Sequence, residues 1–156
     1  MKTAKLDDLL VADDPIECEA PAGFDRLATL ARIRRLLPEL EHLTGLPFKI
    51  DEQIQDASFF AELSATDPTE RPLPSGGRCI ETFICVRFSA FANLFTIWTC
   101  SSVRPLTDDE RVQIAELISS AGFLYVPAEL LESPYTGNNW HLQHLRNWWL
   151  RFFDYL

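Results

Sequence analysis

From Phe24 onward the chain reads FDRLATLARIRRLLPELEHLTG, which places Leu27, Leu30, Leu37, Leu40 and Leu43 at helical spacing, with Arg26, Arg32, Arg34 and Arg35 mostly off the apolar stripe. The spacing predicts a helix that Pro38 must kink or divide, because proline donates no backbone hydrogen bond in mid-helix, and that Gly45 ends. After Gly45 the apolar period shortens to two. PFKIDEQI and ASFFAELSA alternate as strands do, the second with Ala57, Phe59, Ala61 and Leu63 on one face. TDPTERPLPSGGR, with three prolines and two glycines, is a loop. CIETFICVRF and NLFTIWTCS, rich in β-branched and aromatic residues, are the strongest strand candidates, and SAFAN is short enough to join them as a hairpin.

Helix returns at TDDERVQIAELISSAG. Thr107 and Glu110 have the spacing of a capping box, Asp108 and Asp109 occupy the first turn, and Gly122 follows the last. FLYVP suits a short edge strand and PAELLE a short helix, while SPYTGNN is a turn-rich lead into the tail. The predicted class is α+β: an antiparallel sheet of about four to five strands, with helices before and after it packed on one face. Residues 1–22 are acidic, with Pro15 and Pro21 around IECEA, and only KLDDLLV suits a short helix. They are predicted to form an arm that packs loosely, leaving residues 23–156 as a single domain.

Composition narrows the class of partner. A chain of 156 residues that is 47% hydrophobic can bury a core without metal or disulfide staples. A net charge of −9 argues against binding nucleic acid, which demands clustered Lys and Arg; it suits a basic protein partner, and equally the plain dispersal of an acidic protein in solution. MKTAKLDDLLVADD sets four aspartates where an export signal needs an apolar stretch, and no uncharged apolar run is long enough to cross a bilayer. A cytoplasmic protein with no membrane contact is expected. Cys18, Cys79, Cys85 and Cys100 form no CxxC pair and fit reduced thiols.

No catalytic motif stands out. The glycines of PSGGR lack the Lys and Ser/Thr of a phosphate-binding loop, and no GxSxG, GxGxxG or DxDxDG pattern occurs. His141 and His144, three residues apart, are weak metal candidates: the spacing departs from HExxH, and two histidines do not fill a coordination shell. No metal and no cofactor is expected. The acid pairs Asp7/Asp8, Asp13/Asp14 and Asp108/Asp109 fit a solvated arm and a helix N-terminus.

The tail WHLQHLRNWWLRFFDYL, residues 140–156, holds three of the four tryptophans and two of the three histidines. Read as a helix, it aligns Leu142, Leu145, Trp149, Phe152 and Leu156 as a core stripe, leaving His141, His144, Trp148, Arg151 and Tyr155 on a second face. Trp, Tyr and Arg are the side chains that most often carry binding energy, which makes that face a docking candidate. The stretches FLYVPAELLESPYTG and NWWLRFFDYL, in the last quarter of the chain, contain a YVPxEL turn, a PYxG loop and a WWxRFFDY tail. In these they resemble small, acidic, cytoplasmic bacterial proteins akin to the immunity partners of toxins. The resemblance implies an α+β, non-enzymatic binder that neutralises a cognate toxin, and assigns no contact residues; the acidity of the chain suits a basic toxin domain.

The partner-binding candidates are therefore Trp148, Arg151 and Tyr155, with Asp108, Asp109 and Glu132 as steering acids. Two alternatives stand beside this reading. One is a small hydrolase or transferase using His141 or His144 with a carboxylate; the other is a structural homo-oligomer, such as a homodimer, burying Trp148 against a second copy.

Overall fold

A computed structural model of the protein describes residues 2–66, 71–72, 78–79, 82–99 and 106–155, with the backbone alone described at 71–72 and 78–79. The element order is α1 (Leu6–Ala12), α2 (Arg26–Thr44), β1 (Phe48–Asp51), β2 (Phe59–Thr66), β3 (Arg71–Pro72), β4 (Arg78–Cys79), β5 (Thr82–Ser89) and β6 (Leu94–Trp98). There follow α3 (Asp108–Ser120), β7 (Leu124–Tyr125), α4 (Ala128–Leu131), a 3-10 turn (Trp140–Leu142) and α5 (Trp148–Phe152). The class is α+β, as expected. A five-stranded sheet runs β1-β2-β5-β6-β7, and β3 pairs with β4 in a separate ribbon.

The three pairings from β1 to β6 follow the predicted strands and are antiparallel, with Leu63 opposite Val86 and Val86 opposite Ile97. β7 departs from the expected antiparallel sheet, because it pairs with β6 in parallel. The cause is α3, which intervenes between the two strands and carries the chain back to the end where β6 began. CIETFICVRF is divided between β4 and β5, and most of the Pro/Gly loop lies outside the described residues.

The helices obey their local signals. Asp25 caps α2 by accepting from Ala28 N at 2.9 Å, and Gly45 ends it in the left-handed region at φ 69°. α2 is one helix through Pro38, which sits on its exposed side. Its buried stripe is Leu30, Ile33, Leu36 and Leu40 rather than the leucine series expected: Leu27 lies about a third of a turn away and is 79% exposed. In α3 the capping box forms as predicted, Glu110 N donating to Thr107 Oγ1 at 3.2 Å and Thr107 N donating to Glu110 Oε2 at 2.9 Å.

Strand alternation divides the sheet into two chemically different faces. Ala61, Leu63, Val86, Phe88, Phe95 and Ile97 form an apolar, buried face on the side of α2 and α3, where the Phe88 ring meets Phe123 edge-on and the Arg32 guanidinium lies 4.4 Å from the Phe123 centroid. The opposite face carries Glu62, Arg87, Thr96 and Trp98. It is covered by the tail, so helices are not confined to one face. Arg87 pairs with Glu62 at 2.6 Å, donates to Phe153 O at 2.6 Å, and lies within cation–π range of Phe59, Trp98 and Trp149.

The N-terminal residues belong to the same body, which corrects the expected loose arm and the boundary after residue 22. Thr3 bridges Tyr125, Ala4 N donates to Tyr125 O at 2.8 Å, and Leu9 is fully buried in the core. Among the described side chains Cys85 is buried and Cys18 half-buried; Cys100 and the Cys79 side chain lie outside them. No helix among the described residues is long and apolar enough to cross a membrane. Truncating a fully buried leucine opens a cavity. Leu9→Ala is therefore expected to lower the unfolding free energy by about 2–5 kcal/mol in denaturant titration, whereas a loosely packed arm would leave it unchanged.

Candidate functional site

At the C-terminal end of α1, Asp13 adopts an extended backbone (φ −72°, ψ 109°), and its carboxylate is buried. Arg151 Nε donates to its Oδ1 at 2.6 Å. Tyr135 Oη and the backbone amides of Asn138 and Asn139 donate to its Oδ2 at 2.8, 2.7 and 3.3 Å. The Arg151 guanidinium is equally enclosed: Nη1 donates to Cys18 O at 2.9 Å, Nη2 to Glu17 O at 3.0 Å, and its centre lies 4.2 Å from the Phe91 ring centroid. Both side chains are 0% exposed. Each guanidinium nitrogen and both carboxylate oxygens thus have a partner, which is what lets such a pair persist away from water.

The pair joins two irregular segments. On the N-terminal side, Asp14 Oδ1 accepts from Ile16 N and Glu17 N, both at 2.9 Å, turning the chain back on itself. The Glu17 and then the Ile16 amide hold the Asp14 carboxyl below its ordinary range; the Arg151 charge adds to this and desolvation opposes it. On the C-terminal side, buried Asn139 reaches across, its Nδ2 donating to Asp14 O at 2.9 Å and Glu17 O at 3.1 Å while its Oδ1 caps the 3-10 turn through His141 N. Gly137 permits the close approach: a Cβ there would collide with the Asp13 carboxylate and the Tyr135 ring. Burial first, then the hydrogen bond to Asp13 and that residue's charge, push the Tyr135 hydroxyl up to about 12.

The predicted site residues fall in different places. Trp148 and Arg151, expected to meet a partner, are both inside the protein. Trp148 stacks on Phe152 with centroids 5.6 Å apart, meets Tyr135 edge-on, and its indole N–H finds no acceptor among the described residues. The expectation failed because the tail is not one helix. Asn147 caps α5 afresh, its Oδ1 accepting from Leu150 N at 3.2 Å, so the 3-10 turn and α5 bury their faces independently. Of the expected core stripe, Leu142 and Phe152 are buried, Leu145 and Trp149 partly so, and Leu156 lies outside the described residues.

Tyr155 is 60% exposed, its ring edge-on to Phe59. Asp108 and Asp109 are exposed at the start of α3 and Glu132 at the end of α4. Among the described residues, no hydrogen bond or ring contact joins these four to the buried pair. His141 and His144 are exposed, and no group of three or more metal-ligating side chains occurs among the described residues.

What the knot presents outward was not anticipated. Ile16 is 65% exposed and Trp140 68%, each next to residues whose backbone is pinned from beneath. Between the loop and the turn lies an open cleft of about 560 Å³ lined by Ile16, Glu17, Cys18, Glu19, Ala20 and His141. The Trp140 and His141 rings lie against each other beside it. The arrangement is an exposed platform whose backbone is held from beneath by these hydrogen bonds. No family model matches the chain, and no match was found among curated proteins or solved structures.

Arg151→Met leaves the Asp13 carboxylate buried without its counter-charge and is expected to cost about 3–5 kcal/mol of unfolding free energy. Replacing both, as Asp13→Leu with Arg151→Met, is expected to recover much of that loss in denaturant titration; an equal loss in single and double variants would assign the cost to packing instead. An ultraviolet phenolate titration should show Tyr135 ionising near pH 12 against an ordinary value of 10.0. Between those values the unfolded chain has lost a proton that the folded chain retains, so stability should fall as pH rises through that window. Tyr135→Phe should remove that contribution from the pH profile of the thermal midpoint.

Proposed function

We propose that this chain is a non-enzymatic protein-binding module acting in the cytoplasm, of the kind represented by an immunity-type inhibitor of a bacterial toxin. The observation that carries the reading is the display of Ile16 and Trp140 in solvent on backbone locked by the Asp13–Arg151 pair. Isolated exposed apolar side chains are ordinary, but ones held rigid from below have already met the ordering cost that association otherwise exacts. Tryptophan is among the residues that most often anchor interfaces. The net charge of −9 suits capture of a basic partner, and the exposed acids Asp108, Asp109 and Glu132 contribute to that field.

The test begins with affinity capture from lysate of the source cells at moderate salt, followed by binding kinetics with the recovered protein. Trp140→Ala is expected to weaken binding about tenfold or more, chiefly through faster dissociation and with the fold intact. Charge reversal at Asp108, Asp109 and Glu132 is expected to slow association and flatten its salt dependence. A solitary protein whose mass rises with concentration would replace this reading with self-association.

A further inference from the structure

We infer that the open groove between α2 and α3 is a docking site for an amphipathic helix of a partner protein, one whose apolar stripe is flanked on both sides by lysine or arginine. The inference rests on the binding-module reading and extends it to a second surface, on the other side of the sheet from the tail. The groove measures about 580 Å³ where Pro38 and Leu43 of α2 stand across from Leu117 of α3. It continues into a smaller part of about 240 Å³ beside Arg35 and Ser120, and Glu39 lines both parts. Leu43 belongs to the leucine spacing that predicts α2, yet it stays 39% exposed on the groove wall.

Shape and charge each describe the occupant. From Arg35 to Leu43, α2 runs about 12 Å, the span of side chains at i, i+4 and i+7 on a second helix. A trough between two packed helices is the surface that the side-chain ridge of a third one fills. The charge is arranged across that trough: Glu39 stands on the α2 wall and Glu116 on the α3 wall, both exposed, so the apolar floor has a carboxylate on either side. α3 carries Asp108, Asp109, Glu110 and Glu116 against a single arginine, and Arg111 is turned inward to donate to Ile97 O at 2.9 Å. The outward field of that wall is therefore acidic, which attracts basic flanks and repels acidic ones. Arg32 and Arg35 line only the smaller part, Arg32 donating to Asn93 Oδ1 at 2.6 Å, so the basic flanks belong over the larger part.

The probe is a short synthetic helix with leucines at i, i+4 and i+7 and lysines on both flanks. Two counterparts accompany it: one with glutamates for the lysines, and one that keeps the lysines but carries a central proline, which breaks the helix. Each is titrated into the full ¹⁵N-labelled chain and followed by NMR. The lysine helix is expected to shift the amides of residues 36–43 and 113–121 and to bind about tenfold or more tightly than either counterpart. In the Glu39→Lys/Glu116→Lys variant the preference for lysine over glutamate should reverse. Leu43→Gln, at an exposed position, should weaken the lysine helix by about tenfold with the spectrum elsewhere unchanged. Equal binding of the lysine and glutamate helices, equal binding of the proline peptide, or shifts confined to other surfaces would overturn the inference. So would a mass that rises with concentration while the same amides shift, which would give the groove to a second copy of the chain. If the groove fails while Trp140→Ala still weakens binding of the captured partner, the binding-module reading stands alone; if that substitution is also silent, both fall.

Discussion

The contact on which the rest of the molecule depends is the 2.6 Å ion pair between Asp13 and Arg151, two fully enclosed side chains separated by 138 positions in sequence. Neither charge is tolerable alone in that environment, since removing an unpaired ion from water costs several kcal/mol. The pair persists because each guanidinium nitrogen and both carboxylate oxygens are engaged: three protein donors besides Arg151 on the carboxylate, and two carbonyls and an aromatic face on the guanidinium. Each of those partners lies on irregular backbone. The pair therefore determines the path of segments that no ladder or helix would hold.

The same logic explains how the two ends of the chain close the sheet. Its helix-side face is uniformly apolar and needs only the stripe of α2 and the buried residues of α3. The other face presents Glu62, Arg87, Thr96 and Trp98, which call for specific partners rather than oil. Arg87 receives them from Glu62, from the carbonyl of Phe153 and from three aromatic rings, and Thr96 donates to Val126 O at 2.9 Å. A tail rich in aromatic residues suits this mixed surface, because indole and phenyl faces accept cations as readily as they bury area. What looks like surplus aromatic content in the sequence is the lid of a half-polar sheet.

This accounts for which parts of the fold were legible in the sequence. Strands β2, β5 and β6 and the capping box of α3 are encoded by neighbours a few positions apart, and there the pattern and the structure agree. The stripe of α2 was misplaced because leucines were weighed without Ile33, and its true centre shows only when all apolar positions are taken together. β7 has apolar residues suited to a strand, but the direction of its pairing is set by the helix before it, not by its own residues. The loose-arm expectation failed for a deeper reason: Asp13 among acidic neighbours looks like ordinary surface charge until a guanidinium far along the chain is placed against it. Arg151 and Trp148 were expected to meet a partner on a second face of the tail, and both are enclosed by the protein itself. Trp140, the tryptophan left in solvent, carries no periodic signal that could have distinguished it from its neighbours.

An ion pair this dry is a poor device for stability, because apolar residues of similar volume often hold a core together as well or better. Its distinctive property is direction. The guanidinium bonds to the carbonyls of Glu17 and Cys18, and Asn139 adds bonds to those of Asp14 and Glu17, so a buried contact dictates the outward course of one short loop. An apolar replacement would fill the same volume without specifying where those carbonyls go. The cost of burying the charges is thus converted into the fixed position of Ile16, Glu17 and Glu19 against the 3-10 turn that carries Trp140. That trade is intelligible if the geometry of this surface matters to something outside the chain, and it is the physical reason for seeking the function there rather than at the exposed histidines.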